Sequence, residues 1–188
     1  MAVNQNIQLF IQTAGKKDFA RNNLFKVMAL SCRNLTLTEE ELVYARTAQL
    51  PGRETPVGTN VKYMGMTMPY TASTVVYPGN DAYEIEFYLD AAGSLREKFE
   101  RASRMAFNDI STSGNWQFPS ASDYLTLAML NINYDPVKLF HFYGVSFVKI
   151  GEVNVEPADG DGTAVMARCT LSYLYYTTSG SEVVFAGV

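Results

Sequence analysis

Few residues in this sequence are of types that do chemistry, and their spacing limits what they could do. Glu84 and Glu86 stand two apart in "DAYEIEFYLD", residues 81–90. In a strand that spacing puts both carboxylates on one face. Paired carboxylates serve glycoside hydrolysis, but there they flank a cleft from separate elements. Two adjacent acids on one wet strand face read instead as solvated surface. His141, in "KLFHFYG", is the sole histidine. As the base of a hydrolytic triad it would need a nucleophile and an orienting acid. No Gly-x-Ser-x-Gly elbow supplies the nucleophile, so a packed or surface histidine is the simpler reading. "DGDG", 159–162, holds part of a calcium-loop pattern but lacks the twelve-residue frame with its closing glutamate. It reads as a turn carrying two carboxylates. One histidine and two cysteines do not make a spaced zinc set, and neither glycine-rich phosphate motif occurs. These residues argue against an enzyme and imply no cofactor and no metal.

The elements around them come from the rest of the 188-residue chain, a length that suits one domain with a sizeable core. Apolar residues make up 47% and charged residues 18%, the balance of a folded protein. Twelve Tyr and eleven Phe tilt the composition towards strands. The formal charge is −4, and no basic patch of the kind that neutralises duplex phosphates is evident. Cys32 and Cys169 each sit in an alternating apolar segment and read as buried thiols, with a disulfide as the alternative. The opening "MAVNQNIQLFIQTAGKKD" has no basic start, and Gln8 and Gln12 break its apolar residues, so it does not read as a signal peptide. No apolar run is long enough to span a membrane. The expectation is a protein made in a cytoplasm.

Residues 1–18 read as an arm. Strands are expected over 24–32, 43–50, 61–68, 81–90, 123–133, 142–157 and 163–178. "LTEEEL", 37–42, reads as a polar connection, and "PGRETPVGTN", 51–60, with two Pro and two Gly, as no regular element. In 81–90, Ala82, Glu84, Glu86 and Tyr88 face one way, and Tyr83, Ile85, Phe87 and Leu89 the other. In 163–178, Val165, Ala167, Cys169, Leu171, Tyr173 and Tyr175 share a face, opposite Met166, Arg168, Thr170 and Ser172. One helix is expected at 94–107, opened by a Ser94/Glu97 capping box, with Leu95, Phe99, Ala102 and Ala106 as its apolar stripe. Arg96, Lys98, Arg101 and Arg104 lie off that stripe, interleaved with Glu97 and Glu100 as a solvated face. Seven strands with one helix argue a mainly β fold, an antiparallel sandwich or barrel.

A resemblance follows from these pieces. "DFARNNLFKV", 18–27, resembles the segment that leads from arm to first strand in tail tube proteins of contractile-tailed bacteriophages. "TAQLPG" with "TPVG", 47–58, is similar to that family's strand end and long Pro/Gly loop. "LREKFERASRMAF", 95–107, resembles its single helix, and "FYGVSFVKIGEVNVE" with "GTAVMARCTLSYLYY", 142–176, its closing hairpin. The order is collinear over 17–176. Phe118–Asn133 does not align, and 179–188 reads as a C-terminal extension. The resemblance implies a single tail-tube domain whose sheets join between subunits into a ring-shaped barrel. It implies a structural protomer of homohexameric rings stacked into a hollow tube in a virion tail. Partners would be the tail sheath protein, the baseplate and tail terminator proteins, the tape measure protein, and then DNA passing without sequence preference, with no membrane. Glu84 and Glu86 are then candidates to face the lumen. Six copies at −4 give −24 per ring, an anionic wall that repels phosphate within a Debye length of roughly 8 Å. Loop 50–60 and the arm are candidates for ring-to-ring contact, through Pro51, Gly52, Arg53, Glu54, Pro56, Gly58, Asp18 and Arg21. The alternatives are the tube of a bacteriocin or secretion injection system, or a β-sandwich binding module in which Trp116 and the tyrosines would suit sugars.

Overall fold

A computed structural model describes Ile7, residues 21–32, 35–114, 118, 120, 122–153, 162 and 164–179. Asp18 and most of the arm, Trp116, most of the turn at 157–162 and residues 180–188 lie outside the described residues. The chain runs β1 (Phe25–Cys32), β2 (Leu35–Thr36), α1 (Glu39–Leu42), β3 (Ala45–Ala48), β4 (Val57–Tyr63), β5 (Met66–Thr71) and β6 (Tyr83–Tyr88). It continues α2 (Ser94–Ala106), β7 (Phe107–Asn108), β8 (Ser113–Gly114), β9 (Tyr124–Leu130), β10 (Pro136–Tyr143), β11 (Ser146–Ile150), β12 (Met166–Ser172) and β13 (Tyr175–Thr178).

The expected antiparallel β fold is present, as two open sheets that do not close into a barrel within one chain. The five-stranded sheet has the order β13-β10-β9-β1-β2, and the four-stranded sheet the order β11-β12-β6-β3. All neighbours in both sheets are antiparallel. One core lies between them. Tyr83, Ile85 and Phe87 of β6 face it, as the period of two requires, with Ala167, Cys169 and Leu171 of β12 and Phe140 and Phe142 of β10. Phe142 meets Tyr83 at 5.1 Å and Tyr173 at 5.0 Å between ring centroids, tying the two sheets together. The Tyr83 hydroxyl donates to the Gln49 carbonyl, and burial raises its pKa. Cys32 and Cys169 are both buried and reduced, and burial pushes the Cys169 thiol up to about 12.

Helix α2 buries Leu95, Phe99 and Ala102 of the expected stripe, and Phe99 stacks on Phe147 at 5.8 Å. Its opening differs from the expected capping box. Gly93 is the N-cap, at φ 69°, and no side chain of the cap residue bonds back. Asp90 does that work from one turn earlier. Its carboxylate accepts from Ser94 N at 3.0 Å, Ser94 Oγ at 2.8 Å and Leu95 N at 3.1 Å. The Leu95 amide and then Ser94 hold its pKa below the usual carboxylate range.

Five expected readings are corrected. "LTEEEL" is not a plain connection: Thr38 and Glu41 form a capping box that opens α1. Residues 57–60 are strand, not loop, and the single strand expected over 61–68 is broken, because β4 pairs with β5 in a hairpin turning at Met64–Gly65. The reading of 142–157 as one strand fails at Gly144, φ 64°, where β10 ends and the chain crosses to the other sheet. The reading of 163–178 as one strand fails at Tyr173–Leu174, where it crosses back. The short pair β7–β8 and the first half of β10 were not expected as strands.

Candidate functional site

Glu84 and Glu86 project from the face of β6 opposite the core, and strand register determines their company. Arg168 lies across from Glu86 and Thr170 across from Glu84 on β12, while Thr47 of β3 lies across from Glu86 on the other side. The Arg168 guanidinium donates to Glu86 Oε1 from Nη2 at 2.9 Å and from Nε at 3.2 Å. Its Nη1 stands 3.6 Å from Glu84 Oε2. Thr47 Oγ1 donates to Glu86 Oε2 at 3.0 Å, and Arg46 Nη1 lies 3.8 Å from the same oxygen. Both oxygens of Glu86 are thus occupied. Its carboxyl is held below the usual range, first by Arg168 and then by Thr47, and Arg168 is raised in turn by Glu86 and Glu84. Lys149 and Glu152 share the same depression, of about 470 Å³. The described face therefore carries Arg46, Lys149 and Arg168 against Glu84, Glu86 and Glu152. It is balanced rather than anionic.

The outward face of the five-stranded sheet differs. Ser31, Tyr124, Tyr143 and Tyr175 fall in one cross-strand row, with Tyr143 stacked on Tyr175 at 4.9 Å. In the next row His141 Nδ1 is 3.1 Å from the Thr126 hydroxyl. The lone histidine sits half-buried in a sheet face beside one hydroxyl partner. Among the described residues no group of three His, Cys, Asp or Glu side chains converges as a metal site would, and no helix is long and apolar enough to cross a membrane.

The residues proposed for ring-to-ring contact lie at the root of the β4–β5 hairpin. Glu54 bridges Val76 through backbone bonds of 2.8 and 2.9 Å, and Pro56 O accepts from Ala72 N at 2.7 Å. Gly52 lies by Pro78, Pro51 is half-buried, and Arg53 is exposed. A Cβ at Gly58 would meet the Ala72 backbone at 3.0 Å, so glycine there allows a close approach of the two strands. Arg21 lines a small groove with Leu50, next to Pro51, so the entry to β1 and the start of this segment are neighbours. Beyond Gly58 the hairpin is exposed along its whole length. Register puts Val61, Tyr63, Met66 and Met68 on one side and Asn60, Lys62 and Thr67 on the other. Composition hid this amphipathic hairpin, and Arg46, Arg168 and Lys149 went unassigned because only strand pairing brings them to Glu84 and Glu86.

No family model matches the sequence, and no curated protein sequence matches it. The fold does have solved counterparts. It is similar to a chain of the anti-feeding prophage (AFP) baseplate, determined by cryo-EM and six-fold symmetrised, with a TM-score of 0.60 and 14% identity. That likeness covers 89% of this chain and 99% of that one. A chain of the PVC sheath–tube complex, an extracellular contractile injection system in its extended state, aligns with a TM-score of 0.49 and 7% identity, over 89% and 95%. At 14% identity the likeness to the baseplate chain is one of fold alone.

Proposed function

We propose that the chain is a structural, non-enzymatic protomer of a bacteriophage tail tube, forming stacked hexameric rings that conduct DNA inside a contractile sheath. Strand parity in the four-stranded sheet carries the reading. With four antiparallel strands, the edges β11 and β3 run in opposite directions. Copies related by rotation would set β3 of one beside β11 of the next, antiparallel, and the alternation continues around the ring. The five-stranded sheet ends in β13 and β2, which run the same way, so the same operation would leave a parallel seam at each junction. Six copies of four strands, twenty-four in all, make a barrel wide enough to keep an open bore. Closure also removes the exposed edges that otherwise invite aggregation. On this reading Glu84, Glu86 and Arg168 line the lumen. Residues 51–56 and the apolar side of the β4–β5 hairpin meet the next ring.

A second reading, favoured by the likeness to a baseplate chain, is a ring component of an injection system with no genome to carry. Negative-stain imaging of the concentrated full chain tests the shared claim: six-fold rings or hollow filaments are expected. A monomer under every assembly condition overturns both readings. Presence in DNA-filled, tailed particles separates the first from the second.

A further inference from the structure

The charged sheet face has a property that its net charge conceals. Arg168 and Arg46 sit on strands either side of β6, with side chains 55% and 44% exposed, and Lys149 lies on β11 beyond Arg168. A guanidinium is a planar fork that fits a phosphate as well as it fits a carboxylate. Lys149 and Arg168 in one depression, with Arg46 beside it on β3, would make a ready strip for a phosphodiester backbone. Exposed ion pairs contribute little to folding, yet this cluster is built closely. Glu86 has one oxygen on Arg168 and the other on the Thr47 hydroxyl, and Glu84 closes on the third guanidinium nitrogen.

We propose that Glu84 and Glu86 are built-in counter-ions that occupy Arg168 and Arg46 and so keep this face from binding nucleic acid. That such a face needs silencing rests on the tube reading, but the silencing itself does not. A polyanion offered to the native face finds both guanidiniums already paired. Binding would require either a carboxylate to be displaced beside the phosphate or the guanidinium to leave its partners.

The test is fluorescence anisotropy of a labelled 30-nucleotide single-stranded DNA with the full chain, at 50 and 150 mM salt. The native protein and the E39Q/E40Q variant, which removes the same charge from α1, show no saturable binding. E84Q/E86Q binds at least tenfold tighter than either, and the logarithm of its affinity falls with log salt at a slope of about −1 to −2. E84Q/E86Q/R168Q loses most of that gain. Should the double variant fold poorly by circular dichroism, Glu86→Gln alone gives a severalfold gain by releasing two guanidinium nitrogens. Equal affinity of E84Q/E86Q and E39Q/E40Q overturns the proposal, as does tight binding by the native chain. Imaging the same samples separates the two ideas, because absent rings would count against the tube and leave the DNA result standing.

Discussion

On one outward face of this sandwich Arg168 is clasped between Glu84 and Glu86; on the other, Tyr124, Tyr143 and Tyr175 stand in an uncharged row. Both faces belong to antiparallel sheets over the same core. Both alternate with a period of two, so the inward positions are committed to folding and the outward ones are not. Two faces over one core thus differ in chemistry, so the packing of the core does not set the composition of either outward face. The four-stranded sheet can continue its alternation into a neighbour, and its face is polar and charge-balanced. The five-stranded sheet cannot do so without a change of strand direction, and its face carries the tyrosine row with Thr126, His141 and Lys26.

Three experiments sharpen or break that comparison. The largest effect belongs to the core the faces share. Phe142→Ala removes the ring that meets both Tyr83 and Tyr173, and it is expected to cost about 3–5 kcal/mol. Calorimetry should show one transition, lowered by on the order of 10 °C. Two separate transitions would mean that the sheets are independent units and that the comparison is ill-posed. A double-mutant cycle on Tyr143 and Tyr175, stacked at 21°, should give a coupling of about 0.5–1.5 kcal/mol. That coupling is insensitive to salt. The same cycle on Glu86 and Arg168 should give a smaller coupling, and 1 M salt should nearly abolish it. Its pH dependence has a fixed sign. Glu86 is depressed in the folded state, so the pair's contribution is present above the ordinary glutamate value of about 4.3 and is lost as pH falls through the lower folded value. The tyrosine coupling stays flat over that window. A salt-insensitive Glu86–Arg168 coupling would erase the distinction between the faces.

Sequence and structure agree where the pattern is local. The alternation in 81–90 gave β6 and both of its faces correctly, and the helical spacing of Leu95, Phe99 and Ala102 identified the buried stripe of α2. They part where the pattern continues but the sheet changes. A period of two runs through Tyr143–Ser146 and again through Ser172–Tyr175, and nothing in an apolar alternation says which sheet receives the next residue. Gly144 was the available signal for the first crossing, since its positive φ marks a turn. For Pro/Gly-rich 51–60 the error ran the other way. Those residues suggested loop, yet Gly58 serves a strand by letting Ala72 approach. The partners of Glu84 and Glu86 were not legible, because Arg168 is 82 positions away from Glu86 and meets it only through strand register.

The two cysteines have a consequence for how long the molecule stays intact. Both sulfurs lie inside the core, and the Cys169 thiol would ionise only near pH 12. At cysteine, oxidants and alkylating reagents attack the thiolate; Cys169 offers none at ordinary pH, and Cys32 is shut off from them by burial. The folded core therefore shields both cysteines, and oxidation of the chain begins instead at its exposed methionines, Met64 and Met66 at the turn of the β4–β5 hairpin first.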